Sequence, residues 1–112
     1  MKSSKSKIIY LLIYFQFQLL CGQNIQTDTL KVFGNCEMCK ARIERAVFKK
    51  GVIAANWSPK SKLLIVKYKR EKISLEDIKK SILNAGHDLE NELAPDSIYQ
   101  KLHSCCKYRD EN

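Results

Sequence analysis

Gly34-Asn35-Cys36-Glu37-Met38-Cys39-Lys40 holds two thiols separated by two residues, and it falls where one hydrophobic period gives way to another. Before it, Leu30 and Val32 alternate with Thr29, Lys31 and Phe33, which predicts a short strand over 29–33. After it, Ile43, Ala46 and Val47 recur at helical spacing, with Lys40, Arg42, Glu44, Arg45 and Lys49 mostly outward, which predicts a helix over 38–50. The thiols therefore stand at a helix start. There the unpaired N–H groups and the positive end of the helix dipole favour thiolate over thiol. Two thiolates at this spacing can converge on one soft metal ion or oxidise to a small-loop disulfide.

Working outward, Gly51 suits the left-handed position past a helix end, and Lys49 and Lys50 suit its negative terminus. Residues 52–57 and 63–69 read as strands joined by Ser58-Pro59-Lys60-Ser61, a hairpin. Ser74 is an N-cap with Asp77 in the capping-box place and Glu76 in the first turn. Leu75, Ile78, Ile82 and Ala85 mark one face of a second helix, which Ala85-Gly86 ends. Residues 24–28 read as a polar lead-in and 87–90 as a brief fourth strand.

This order predicts an α+β, ferredoxin-like βαββαβ fold: a four-stranded antiparallel sheet with both helices on one face. In such a fold the Cys36/Cys39 loop and the Gly86-His87 loop share one end. Beyond it, Ile98, Tyr99 and Leu102 fall at helical spacing over 96–103, a short C-terminal helical extension. Ser104-Cys105-Cys106-Lys107-Tyr108 and a charged tail follow.

Residues 1–22 have the build of a secretory signal. Lys2, Lys5 and Lys7 precede an apolar stretch over 8–20, followed by the small residue Gly22. That stretch falls short of the roughly 20 residues a spanning helix needs, and Gln16 and Gln18 weaken it, so no stable membrane span is expected. Cleavage after Gly22 would deliver the chain outside the cytoplasm, to the periplasm. A lipid anchor at Cys21 is the alternative, although Leu20 stands where such signals place a small residue. The expected division is thus signal 1–22, domain 23–92 and extension 93–112.

Of 20 Lys+Arg against 12 Asp+Glu, three lysines belong to the signal, and the remaining 17 against 12 leave a net charge of +5. Such a balance serves solubility and non-specific attraction to anions. RNA-recognition domains share the element order, but their third strand interleaves Gly and aromatics for base stacking. Here Leu63-Leu64-Ile65-Val66-Lys67-Tyr68 has one aromatic and no Gly, and no nucleic acid is expected as partner.

The thiol pair on the first loop, the six-element order, Gly34 ahead of the first thiol, and Ala85-Gly86 ahead of the last strand resemble heavy-metal-associated domains. These are the modules of copper chaperones, metal-ATPase N-terminal domains and periplasmic mercury-binding proteins. The resemblance covers residues 28–91. It implies a Cu(I) carrier or buffer in metal homeostasis that serves a metal-exporting membrane transporter or ATPase, as a monomer or metal-bridged dimer, and no enzyme. Family loops read Gly-Met-x-Cys-x-x-Cys. In this chain Gly34-Asn35-Cys36 is one residue shorter and lacks that Met, and Met38 lies between the thiols instead. The chain is similar to an exported bacterial subgroup with a Cys-Cys tail.

The candidate ligands are Cys36 and Cys39, joined by Cys105, Cys106 and His87. Two thiolates suit near-linear Cu(I) or Hg(II), whereas four would suit Zn(II); Cd(II) is a further candidate. Cys105 and Cys106 could instead form a vicinal disulfide or pair with the loop thiols. His87 reads as a ligand, a supporting donor or a plain surface residue, and His103 as a solvated helix position. Met38 reads as a thioether ligand or a gap-filler, and Lys40 as a charge offsetting thiolates or a solvated lysine. A thiol–disulfide redox protein, or a disulfide-stabilised interaction domain, is the alternative function.

Overall fold

The computed structural model describes residues 24–111. The expected signal, with Cys21, lies outside the described residues. The elements run β1 (Ile25–Lys31), α1 (Glu37–Val47), β2 (Val52–Trp57), β3 (Leu63–Lys69), α2 (Leu75–Asn84) and α3 (Asp96–Tyr99). Two 3₁₀ turns follow, Ser104–Cys106 and Tyr108–Glu111. Among the described residues no helix is long and apolar enough to cross a membrane.

The three strands form an antiparallel sheet in the order β1-β3-β2. Period-two patterning on the central strand decides which face is covered: Leu64, Val66 and Tyr68 are buried, while Leu63, Ile65, Lys67 and Lys69 are exposed. The covered face receives Ile43 and Val47 from α1 and Ile78 and Ile82 from α2, around the fully buried Trp57.

Trp57 also ties the layers by polar contacts. Its Nε1–H donates to the Val32 carbonyl at 2.9 Å, and its backbone N–H donates to Glu44 Oε2 at 2.9 Å. The second helix starts as its sequence implies. Asp77 N–H donates to Ser74 Oγ at 3.1 Å and Ser74 N–H to Asp77 Oδ2 at 3.4 Å, a closed capping box. Gly51 sits at φ +100° and Gly86 at φ +97°, so both helices are followed by the left-handed residue that their sequence position suggests.

Three expectations are corrected. Residues 25–28 belong to β1 rather than to a loose lead-in, because β3 is long enough to pair with them: Ile25 faces Lys69, and Arg70 N–H donates to the Asn24 carbonyl at 2.8 Å. Helix α1 stops at Val47, three residues early. Val47 is its last core residue, Phe48 leaves helical geometry at ψ 78°, and the Lys49 N–H turns back onto the Val47 carbonyl.

The expected fourth strand is a single antiparallel bridge, Val32 to Leu89. Phe33 N–H still reaches the Asp88 carbonyl at 2.9 Å, but the Leu89 N–H is taken by the Glu92 carbonyl at 2.8 Å, which turns the chain off the sheet. The sheet of the described residues thus has three strands.

After that turn, residues 93–111 fold back over the end of the module that carries the cysteine loop. Tyr99, Leu102, Cys106 and Tyr108 all join the core.

Candidate metal centre

Cys36 is the N-cap of α1, and Cys39 lies one turn into it, in line with Ile43 and Val47 on the buried face. That register explains why Cys39 is fully buried while Cys36 stays partly exposed at the rim. Gly34 lets the loop close over Trp57: a Cβ there would stand 3.1 Å from the Cys39 Cβ and 3.2 Å from the indole ring. Lys62 Nζ donates to the Gly34 carbonyl at 2.6 Å and fixes the loop from the hairpin side.

The third sulfur comes from the extension. Cys106 is fully buried, and its Sγ lies with those of Cys36 and Cys39 so that all three are within 4.8 Å of one another. Cys36 Sγ and Cys39 Sγ are 3.7 Å apart. All four described cysteines are free. A metal–sulfur bond of about 2.3 Å implies sulfur separations of about 4.6 Å in a line, about 4.0 Å in a trigonal plane and about 3.8 Å in a tetrahedron. The loop pair at 3.7 Å is thus too close for a linear arrangement and lies nearest the tetrahedral and trigonal separations.

Cys105 is exposed, with its Sγ 4.0 Å from Cys106 Sγ and 3.5 Å from Met38 Sδ, while its carbonyl faces Cys36 Sγ at 3.7 Å.

Electrostatics divides the sulfurs by task. Desolvation acts to raise the Cys36 pKa, but the Cys39 N–H, the Cys105 and Cys39 thiols and the Met38 N–H outweigh it and bring it down to about 7. The helix start therefore supplies a partly exposed thiolate at neutral pH. Burial, and then the neighbouring Cys39, push the Cys106 thiol far up, so it keeps its proton at neutral pH. The Cys105 thiol is also raised, chiefly by its contact with Cys36.

The position of the third thiol depends on what anchors the extension. Tyr108 Oη donates to the Gly86 carbonyl at 2.8 Å and accepts from the Asp88 N–H at 2.7 Å. Arg109 grips the Asp88 carboxylate with two donors, Nε at 2.9 Å and Nη2 at 2.6 Å, and Asp96 with a third at 2.9 Å. Its guanidinium also lies 4.1 Å from the centre of the Tyr99 ring. Burial works to raise the Asp88 pKa, yet the Arg109 guanidinium and the Ala94 N–H hold it below the ordinary carboxylate value.

Sequence reasoning missed this anchor. Tyr108 and Arg109 read as the edge of a charged tail, and Asp88 as part of a strand. The available signal was the apolar spacing of Ile98, Tyr99 and Leu102, which requires a surface to cover.

His87 is not in the sulfur cluster. It is fully buried, its Nδ1 lies 2.8 Å from the Phe33 carbonyl, and its ring stacks on Tyr108 with centroids 5.6 Å apart. Desolvation lowers its pKa and keeps it neutral, with Nε2 unpartnered. It supports the loop and the extension together. Lys40 is likewise drawn away from the thiols. Its Nζ bonds Glu44, Asn56 and the Trp57 carbonyl, clasping α1 to β2. His103 is exposed.

The heavy-metal-associated domain family matches residues 29–88. This chain belongs to that family. No curated relative matches it by sequence. Among solved structures, the chain is similar to the CopZ metallochaperone, with 27% identity and a TM-score of 0.55 over 57% of this chain and 98% of CopZ. It is similar to oxidized MerP from Ralstonia metallidurans, with 25% identity and a TM-score of 0.54 over 60% of this chain and 99% of MerP. It is also similar to a copper form of a CopA variant from Bacillus subtilis, with 25% identity and a TM-score of 0.50 over 61% of this chain and 95% of that one. The family match ends before the extension that brings Cys105, Cys106 and the Tyr108–Arg109 anchor to this heavy-metal-associated module.

Proposed function

We propose that this protein is an exported carrier of a soft cation, with Cu(I) as its cargo, in metal homeostasis or detoxification. The observation that carries this reading is the gathering of the Cys36, Cys39 and Cys106 sulfurs within 4.8 Å of one another. Sulfur donors favour Cu(I), Zn(II), Cd(II) or Hg(II) over hard cations. A site of three sulfurs stops short of the four that close a structural zinc site. CopZ and the copper form of CopA among the similar structures support Cu(I) within that group.

The chemistry is ligand exchange. The Cys36 thiolate, at the rim, meets the incoming cation first. Cys106 then gives its proton to water, and it and Cys39 enclose the cation. Release runs in reverse, when a thiolate of the recipient attacks from the open side of Cys36. That recipient is a metal-exporting membrane transporter or ATPase. The layout that serves this carriage is ferredoxin-like, with the Leu89 bridge as the remnant of its fourth strand.

An anaerobic Cu(I) titration against a chromophoric chelator tests the reading. The reduced protein should hold Cu(I) against the chelator, and Cys36→Ser and Cys39→Ser should each surrender it. Equal retention by these variants would contradict it. Export to the periplasm rests on the 1–22 signal. It predicts a mass beginning at Gln23 in the periplasmic fraction, whereas an intact leader on cytoplasmic protein would refute it.

A further inference from the structure

Two sulfurs next to the three-thiol cluster have no task in the carrier chemistry so far. Met38 lies in the first turn of α1, and 47% of its surface is open to solvent. A methionine acting as core filler would be turned inward. Cys105, on the first 3₁₀ turn of the extension, is also exposed, yet the fold brings its Sγ to 3.5 Å from Met38 Sδ across 67 residues of sequence.

Burying apolar surface does not explain the contact, since both groups face water. The five sulfurs instead form a connected series. It runs from Met38 to Cys105 at 3.5 Å, to Cys106 at 4.0 Å, and on to the Cys36–Cys39 pair, with solvent at one end and the core at the other.

We propose that Met38 and Cys105, two exposed side chains that open around it, form an outer seat for a second monovalent soft cation, placed beside the inner three-sulfur site across the Cys105–Cys106 contact. The inference rests on the inner site being a metal site. The donor set selects the cation. One thioether is neutral and one thiolate carries a single negative charge, so a monovalent ion leaves the outer seat neutral, whereas Zn(II) or Hg(II) would leave it cationic at the groove that Met38 lines with Arg42 and Arg45. Sulfur softness excludes alkali ions, which leaves Cu(I) and its congener Ag(I).

Occupation balances simply. Cys105 gives its thiol proton to water, bonds form from Cu(I) to Cys105 Sγ and Met38 Sδ, and the bonds to the delivering ligand break. No oxidation state changes. Passage inward exchanges the Met38 and Cys105 bonds for bonds to the inner sulfurs, and the proton that Cys106 releases returns to Cys105.

Native mass spectrometry of the purified, reduced protein after anaerobic Cu(I) loading in the presence of a competing chelator tests this. The wild-type chain should carry two Cu(I), counted on the monomer peak, and one ion when Zn(II) or Hg(II) replaces copper. The double variant Met38→Leu, Cys105→Ser should carry one Cu(I), retained in the inner site. Both substitutions are at exposed positions, and each single variant provides a check on folding. One Cu(I) in wild type and double variant alike overturns the outer seat and leaves the inner site standing. No Cu(I) in either overturns the inner site itself. Two ions found only in a dimer would also overturn the proposal.

Discussion

The two segments that supply the thiols are held in different ways. The Cys36/Cys39 loop is fixed by packing inside the family module: its own helix buries Cys39, Gly34 closes on Trp57, and the hairpin lysine caps the turn. The extension that supplies Cys106 docks on that module from outside, through buried Tyr99, Leu102 and Tyr108 and through a polar anchor. A bidentate Arg109–Asp88 pair and the Tyr108 hydroxyl clamp it to the Gly86 loop. The loop can therefore form wherever the module folds, whereas the third sulfur arrives only if the extension docks. The comparison teaches that the loop thiol pair and the third sulfur beside it are separable properties of this chain.

Breaking the anchor should have the largest effect. Arg109→Ala leaves the Asp88 carboxylate, whose side chain is 7% exposed, without its cation. Removing one partner of such a pair costs on the order of 3 kcal/mol. For a domain of this size that lowers Tm by at least about 12 °C. The variant's Cu(I) affinity should fall to that of Cys106→Ser. Thermal denaturation together with chelator competition checks both, and a lower Tm with wild-type affinity would uncouple the anchor from the site.

Gly34→Ala attacks the other segment. The added Cβ meets Cys39 and Trp57 at 3.1 and 3.2 Å. Crowding of this kind costs about 1–3 kcal/mol. Denaturant unfolding should show that loss, and the thiol pair should bind Cu(I) more weakly even with the extension intact.

Ser74→Ala sharpens the contrast from a region that feeds neither segment. Losing its side-chain cap costs about 1 kcal/mol. Cu(I) competition should not change, and if it did, global stability rather than local geometry would be governing affinity.

The smallest effect is a pH dependence at the rim. Because the Cys36 pKa is lowered to about 7, its alkylation rate by iodoacetamide should rise through pH 7 and level off above it. A depressed folded value also means that Cys36 contributes stability present above the ordinary thiol value and lost as pH falls through 7. Mass mapping of the alkylated cysteines follows this directly. A midpoint near the ordinary thiol value of 9 would show that the helix start does not activate Cys36.

Local signals carried much of this arrangement. The Cys-x-x-Cys at a strand-to-helix junction, the Ser74–Asp77 cap and the glycines at 51 and 86 depend on neighbours a few residues apart, and periodicity reads such features well. Long-range competition was illegible. Leu89 was expected to pair along a strand, but its N–H turns to Glu92 and Asp88 is claimed by a residue 21 positions away. His87 was placed at the right end of the fold. However, nothing in the residue string told that Phe33 and Tyr108 would enclose its ring. The Cys-Cys pair was visible, but which of the two turns inward is set by the Tyr108–Arg109 anchor that follows it.

X-ray absorption at the copper edge, on protein loaded with a single Cu(I), tests most directly whether the extension completes the site. Three sulfur neighbours in the wild-type chain and two in Cys106→Ala are predicted; two sulfurs in both would contradict a site completed by the extension.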